Sequence, residues 1–336
     1  MARAGVRTAT FEAAPNIALV KYWGMRDVAR GLPYNSSLSL TLDRMRTRTT
    51  VRFDPSLARD ELHLNGAIAT GGPLEDVRRF LDVVRERAAV ATHASVRSAN
   101  NFPTASGLAS SASGFAALAG AASRALGLRL GARALSQLAR LGSGSASRSI
   151  FGGFVEWRAG SRPDGADCYA RPLYSARHWP AFRDVVVLIA GAPTKSIRSA
   201  EAMQSTVRTS PEYARRLREV PRRIAGMRRA IGRRDALALF PLIMGECDSF
   251  RRVCETTTPS LDYLSPASRA VLGEVRRLND DAGRPIAAYT HDAGAHLHVF
   301  ALAKDADRVR RALRSVPGVR ETLVLRAGGP ARAIRA

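Results

Sequence analysis

Apolar and polar positions alternate in the first part of this chain and recur at helical spacing in much of the rest. Ser37–Asp43 sets Leu38, Leu40 and Leu42 against serine and threonine, which predicts a half-buried strand. Arg46–Phe53 interleaves arginine with threonine, then with Val51 and Phe53, and reads as its partner strand. Leu74–Arg87 places Leu81, Val83 and Val84 on one helical side, and Ala94–Ser98 is a short strand entering a loop at Asn100. Helices are expected at 107–126 and 132–141, then a serine-rich turn and a strand at Phe154–Arg158. Ser161–Asp167 turns toward the next strand. The unbroken run Val185-Val186-Val187-Leu188-Ile189 predicts a buried strand, with a polar loop over 192–210 behind it. Helices follow at 211–231, 234–250 and 266–282. Pro285–Tyr289 and Leu297–Leu302 read as paired strands around a turn at Asp292, before a helix at 304–315 and a strand at 320–325. Strands and helices mix without regular βαβ alternation or internal repeat, which predicts an α+β fold in two lobes, 1–182 and 183–336.

Composition narrows the function classes. The 336 residues suffice for an ample core, and no apolar run approaches the length of a membrane span. Met1–Arg7 has no apolar signal core behind it, so a soluble cytoplasmic protein is expected. Cys168, Cys247 and Cys254 fit neither a disulfide framework nor a zinc pattern. The net charge of +23 suggests polyanions, yet its arginines are spread over almost every segment with no basic tail or aromatic interleaving. That predicts nonspecific attraction at low salt and no dedicated nucleic acid partner. Of the 52 basic residues only Lys21, Lys195 and Lys304 are lysines. A compact ammonium does not exchange freely with a planar guanidinium at a crowded site, so Lys21 and Lys195 stand out; Lys304, at the end of an expected strand, does not.

Four segments carry the chemistry. Pro103-Thr104-Ala105-Ser106-Gly107-Leu108-Ala109-Ser110-Ser111 opens the long alanine-rich helix. Free N–H groups, the positive end of the helix and two hydroxyls make an anion site there, although a well-capped helix start would look the same. No Lys-Ser or Lys-Thr follows Gly107, so it is not a P-loop. The other segments are Ala14-Pro15-Asn16-Ile17-Ala18-Leu19-Val20-Lys21-Tyr22-Trp23-Gly24, Gly142-Ser143-Gly144-Ser145-Ala146-Ser147-Arg148-Ser149, and Tyr289-Thr290-His291-Asp292-Ala293-Gly294. Taken alone, Asp292 reads as a turn residue, Lys21 as a surface cation and Asn16 as a turn cap.

Together, in this order and over nearly the whole chain, the four segments resemble the diphosphomevalonate decarboxylases of the GHMP kinase superfamily. The resemblance implies an N-terminal lobe with a ribosomal-protein-S5-like portion, a ferredoxin-like C-terminal lobe and an active site between them. It implies ATP and Mg2+ as cofactors, a phosphorylated mevalonate as small-molecule substrate, and a homodimer with no membrane partner. Asp292 would be the base facing the tertiary 3-hydroxyl. Lys21 would keep it ionised and neutralise phosphate. Arg148 would orient the substrate carboxylate and phosphate end, helped by Ser143 and Ser145 and positioned by Asn16. Tyr22, Trp23, Gly24, Met25, Gly144, Ala146, Ser147, Ser199 and Ala200 complete the implied substrate site. Pro103, Ser106, Gly107, Leu108, Ala109, Ser110 and Ser111 complete the nucleotide site.

The chain departs from the pattern at the diphosphate end. Met25 stands where the family has lysine, Ala200 where it often has threonine or arginine, and His296 ends a stretch that is usually Asp-Ala-Gly-Pro-Asn. An arginine expected just after Asn65 has no clean counterpart, although Arg26, Arg78 or Arg198 offers charge from elsewhere. The expected reaction is ATP-dependent decarboxylation of mevalonate 5-diphosphate to isopentenyl diphosphate. Mevalonate 5-phosphate is the rival substrate, and Gly24-Met25-Arg26-Asp27 resembles the subgroup that uses it. A 3-kinase without decarboxylation and a non-enzymatic polyanion binder are further alternatives.

Overall fold

The computed structural model describes residues 5–102, 110–192 and 197–334. In the first half these form β1 (Arg7–Ala13), β2 (Asn16–Val20), β3 (Met25–Asp27), β4 (Leu32–Pro33), β5 (Ser37–Thr41), β6 (Thr47–Phe53), β7 (Glu61–Leu64), β8 (Ala67–Ile68), α1 (Gly72–Ala88), β9 (Ala94–Asn100), α2 (Ser110–Ala125), α3 (Ala132–Gly142), α4 (Ala146–Ser149), β10 (Phe154–Trp157) and β11 (Ala170–Tyr174). The second half adds β12 (Phe182–Ile189), α5 (Ser199–Thr209), α6 (Tyr213–Arg233), α7 (Ala236–Glu255), α8 (Pro266–Asp281), β13 (Ala287–Thr290), β14 (Leu297–Leu302), α9 (Ala303–Arg314), β15 (Val319–Leu325) and β16 (Arg332–Ile334).

Three larger sheets result, ordered β16-β1-β6-β9-β7-β8, β11-β10-β5-β2 and β13-β14-β12-β15, with β3-β4 as a separate ribbon. Alternation along β6 is as expected: Thr47, Thr49, Val51 and Phe53 are buried while Arg48 and Arg52 face out. Its expected partner is wrong. β6 pairs with β1 and β9, and Ser37–Thr41 pairs with β2 and β10 in another sheet. Arg44, at φ 59°, turns the chain out of the first sheet. Alternation specifies which face a strand buries, not which strand lies beside it.

The alanine-rich α2 lies close on the six-stranded sheet. A Cβ at Gly120 would strike the Phe11 ring, and Ala116, Ala117, Ala119, Ala121 and Ala122 are fully buried. The run in β12 is apolar throughout because both faces are covered. Val186 and Leu188 enter the core shared with β2, β5, α6 and α7, whereas Val185, Val187 and Ile189 enter the core under α8 and α9. The first of these cores therefore joins the two halves of the chain. The polar stretch expected as a loop over 192–210 instead contains α5, whose buried positions are only Ala202, Met203 and Thr206. Lys304 lies in α9 rather than at a strand end. All three cysteines are buried. Among the described residues no helix is long and apolar enough to cross a membrane.

Candidate active site

β2 is buried along its length and delivers Lys21 just beyond its last residue, at 2% exposure. The turn after β13 delivers Asp292, closed by Gly294 N–H donating to the Asp292 carbonyl at 2.7 Å. Lys21 Nζ donates to Asp292 Oδ1 at 2.8 Å and to the Ala18 carbonyl at 2.8 Å. The lysine side chain is 3% exposed but the carboxylate 27%, so the carboxylate is open to solvent from a closed floor. Burial alone would raise the Asp292 carboxyl. Lys21, acting by charge and hydrogen bond, outweighs it with help from His298 and Arg148, and the pKa falls below the usual carboxylate value. His291 next to it is pushed down to about 4, by burial and then by the Lys21 charge, and donates Nδ1–H to the Asp292 carbonyl at 2.8 Å. It is therefore neutral near pH 7.

A second cation comes from the short α4. Arg148 is 3% exposed. Its Nε donates to Asn16 Oδ1 at 3.0 Å and its Nη1 to Ser37 Oγ at 2.6 Å. Asn16 Nδ2 in turn donates to Ser149 Oγ at 2.8 Å and to the Ser145 carbonyl at 3.1 Å. The first residue of β2 thus holds α4 and sets the guanidinium angle. Both partners of Arg148 are neutral, and none of the ion pairs among the described residues includes it. Burial lowers its pKa to about 10, against the pull of Asp292 and Tyr22, so it keeps its charge at neutral pH. A buried guanidinium with neutral partners can take an anion, which would recover the desolvation it has suffered.

The serine-rich turn frames that guanidinium. Ser143 Oγ and Ser145 Oγ are 3.2 Å apart, and buried Ser147 donates to the Gly144 carbonyl at 2.6 Å. Gly144 admits no side chain: a Cβ would lie 2.8 Å from both Trp157 and Tyr22, which meet edge to face at 4.8 Å. Ala146 is fully buried. Trp23 points elsewhere. It is 4% exposed, stacks edge-on against Phe250 at 5.0 Å and donates Nε1–H to Thr206 at 3.1 Å. Gly24, at φ +96°, lies against the Tyr213 hydroxyl, and that hydroxyl donates to the Trp23 carbonyl at 2.8 Å. Met25 packs in the same apolar cluster, with its carbonyl accepting from Gln204. Ser199 is half-buried and Ala200 exposed in the first turn of α5.

At the expected nucleotide segment, α2 is described from Ser110 onward. Ser113 is turned inward, 2.6 Å from Thr47 Oγ1, while Ser110 is half-buried and Ser111 exposed. Pro103, Ser106, Gly107, Leu108, Ala109 and Lys195 lie outside the described residues. Hydroxyls and N–H groups at the positive end of a helix fit nucleotide phosphates, and magnesium held through phosphates needs only one or two protein oxygens.

Three contributors were not expected from the sequence. Ser37 is an inward serine on the fully buried strand β5. Asn35 Nδ2 donates to the Lys21 carbonyl at 3.0 Å. Glu246 is a carboxylate on the buried stripe of α7, between Ile243 and Phe250. In each case a polar group at a buried position was the available signal.

This arrangement recurs in known proteins. Residues 13–170 match the diphosphomevalonate decarboxylase-like N-terminal domain, and residues 185–326 match the mevalonate 5-diphosphate decarboxylase C-terminal domain. Over 329 residues the chain is 39% identical to diphosphomevalonate decarboxylase mvd1 of Aspergillus fumigatus, covering 93% of this chain and 81% of that one. The mevalonate diphosphate decarboxylase of Staphylococcus aureus superposes with a TM-score of 0.92 at 34% identity, over 98% of each chain. A solved structure of MDDEF in complex with MVAPP, AMPPCP and magnesium superposes with a TM-score of 0.92 at 35% identity, over 99% of this chain and 100% of that one. The chain therefore has the two-lobed GHMP kinase fold and belongs to the diphosphomevalonate decarboxylase family.

Proposed function

We propose that this protein catalyses the ATP-dependent decarboxylation of mevalonate 5-diphosphate to isopentenyl diphosphate. The observation that carries the reading is the solvent-reachable Asp292 carboxylate held ionised by Lys21 at 2.8 Å, with the Arg148 charge also acting on it. Asp292 accepts the proton of the tertiary 3-hydroxyl as its oxygen attacks the terminal phosphorus of ATP. Lys21 offsets the negative charge that gathers on the transferred group. The Arg148 fork holds the substrate carboxylate or its phosphate end, with Ser143 and Ser145 donating beside it. Phosphate then leaves the tertiary carbon with the C–O electron pair while the substrate carboxylate loses CO2 and its electrons close the alkene; Asp292, open to solvent, favours positive charge at that carbon once it has passed on the proton it took. Ser110 and Ser111 contribute to holding the nucleotide phosphates, whose charge magnesium would help neutralise when bound. The complex of MDDEF with MVAPP, AMPPCP and magnesium supports the choice of substrate, nucleotide and metal. We place the lobe boundary at 182/183, just after the first residue of β12, and expect a homodimer working in the cytoplasm.

Mevalonate 5-phosphate is kept as a second reading because of Met25. Its side chain sits in the cluster of Trp23, Tyr213 and Val207. Arg198 is already paired with Asp76, Arg78 reaches the Asp60 carbonyl, and Arg26 reaches the carbonyls of Ala159, Gly160 and Arg162 at 3.4–3.5 Å. Of these only Arg198 is answered by a carboxylate among the described residues; Arg26 and Arg78 meet neutral carbonyls and keep their charge, so the second reading rests on the missing cation at Met25 itself. The test is turnover of mevalonate, its 5-phosphate and its 5-diphosphate with ATP and magnesium, scoring ADP and CO2 separately. ADP and CO2 from the diphosphate support the main reading, the same products mainly from the monophosphate the second. ADP without CO2 from any substrate contradicts both.

A further inference from the structure

Behind Lys21 lies an ion pair that has no hydrogen bond to Asp292 among the described residues. Glu246 of α7 and Arg216 of α6 are bonded to each other, and both side chains are 0% exposed. Glu246 Oε2 also accepts from Arg223 Nη1 at 2.7 Å. A fully buried ion pair is a weak source of stability, since an apolar pair of similar volume often serves as well. What distinguishes this one is its remaining contacts. Glu246 Oε1 accepts the Lys21 N–H at 3.0 Å, while Arg216 Nη2 donates to the Lys21 carbonyl at 3.2 Å. One pair therefore grips both backbone polar groups of Lys21.

The same turn of α7 meets the strand that delivers Asp292. Cys247 lies against Thr290 and His291, and the Tyr289 hydroxyl is 3.1 Å from both carboxylate oxygens of Asp248. Three consecutive residues of α7 thus contact Lys21 on one side and β13 with the residue after it on the other. We propose that Glu246, with Arg216, is a positioning residue that fixes the Lys21 backbone and thereby sets the ammonium against Asp292. The inference rests on the catalytic roles given to Lys21 and Asp292 above.

The test is steady-state kinetics of the full-length enzyme carrying Glu246→Gln, with mevalonate 5-diphosphate and ATP varied in turn. The amide still accepts from the Lys21 N–H but no longer balances Arg216. The expected result is a fall in kcat of about 10- to 100-fold, the effect of displacing a reacting group by roughly 1 Å, with both KM values within about twofold. Leu313→Ala, in the core under α9, serves as a control that lowers the melting temperature without touching Lys21 and keeps kcat. Arg216→Lys retains the charge facing Glu246 but loses the fork that reaches the Lys21 carbonyl. It decides the matter if Glu246→Gln fails to fold, and a severalfold fall in kcat is expected. Wild-type kcat in the folded variants, or a fall no larger than in a control of equal thermal loss, overturns the inference. Absence of turnover in the wild-type protein would instead overturn the proposed function.

Discussion

Two buried cations act on one carboxylate, Asp292, and are treated in opposite ways. Lys21 has a carboxylate partner, Asp292, at 2.8 Å, whereas Arg148 has only an asparagine and a serine. In the first corner the protein's own anion answers the charge, and the product is a carboxylate held ready to take a proton. In the second the charge is left for a ligand, and Arg148 keeps its proton although burial brings its pKa to about 10. The contrast separates chemistry from binding. The lysine corner should govern kcat and the arginine corner should govern affinity.

The largest effect is expected where the first corner is broken outright. Asp292→Asn keeps the shape of the turn but cannot accept a proton, and kcat should drop by ~100-fold or more, with ATP and substrate binding nearly intact. More than about a tenth of the wild-type rate in this variant, a barrier change under ~1.4 kcal/mol, would remove Asp292 from the base role. Lys21→Met should lower kcat by about 100-fold and also move its pH dependence. Burial then acts on Asp292 with less opposition, so its folded pKa rises. The carboxylate is protonated at a higher pH, and the acid limb of the kcat profile shifts upward; an unmoved limb would show that Lys21 does not hold Asp292 ionised. Arg148→Gln breaks the second corner. A charge-assisted buried contact of about 2–5 kcal/mol predicts a loss of ~30-fold or more in kcat/KM, appearing chiefly as a raised KM.

Smaller changes sharpen the picture. Met25→Lys adds a cation at the proposed diphosphate end of the site. Efficiency on the diphosphate should rise by about 10- to 100-fold, the worth of one charge-assisted bond at ~1.5–3 kcal/mol, and much less on the monophosphate. A strong diphosphate preference unaffected by the lysine would make Met25 a packing residue. The smallest effect is expected at the nucleotide end. Replacing Ser110 and Ser111 together with alanine should raise the KM for ATP by roughly tenfold and leave substrate KM alone. A loss of melting temperature with unchanged ATP dependence would mark them as a helix cap.

Much of this division could be read in the chain before its fold was known. Lys21 was visible because lysine is so scarce among the basic residues, and the order of the four segments led to the family. Strand faces were legible in β6 and β12, since burial on one or two sides leaves a period in the sequence. Strand neighbours were not: β5 and β6 are separated by a turn at Arg44 whose geometry leaves no mark in the apolar pattern. Nor was the support of the site. Glu246 lies in helix α7 far along the chain, and only the tertiary packing of α7 against β2 brings it to Lys21. Trp23 illustrates the opposite difficulty, a residue within a functional motif whose side chain serves the core.

The division of labour is tested most directly by titrating mevalonate 5-diphosphate calorimetrically into the Asp292→Asn and Arg148→Gln enzymes and comparing each Kd with that of the wild type. The account predicts a near wild-type Kd for Asp292→Asn, despite its lost turnover, and a Kd raised by ~30-fold or more for Arg148→Gln. Tight binding retained by Arg148→Gln, with affinity lost in Asp292→Asn, would contradict it.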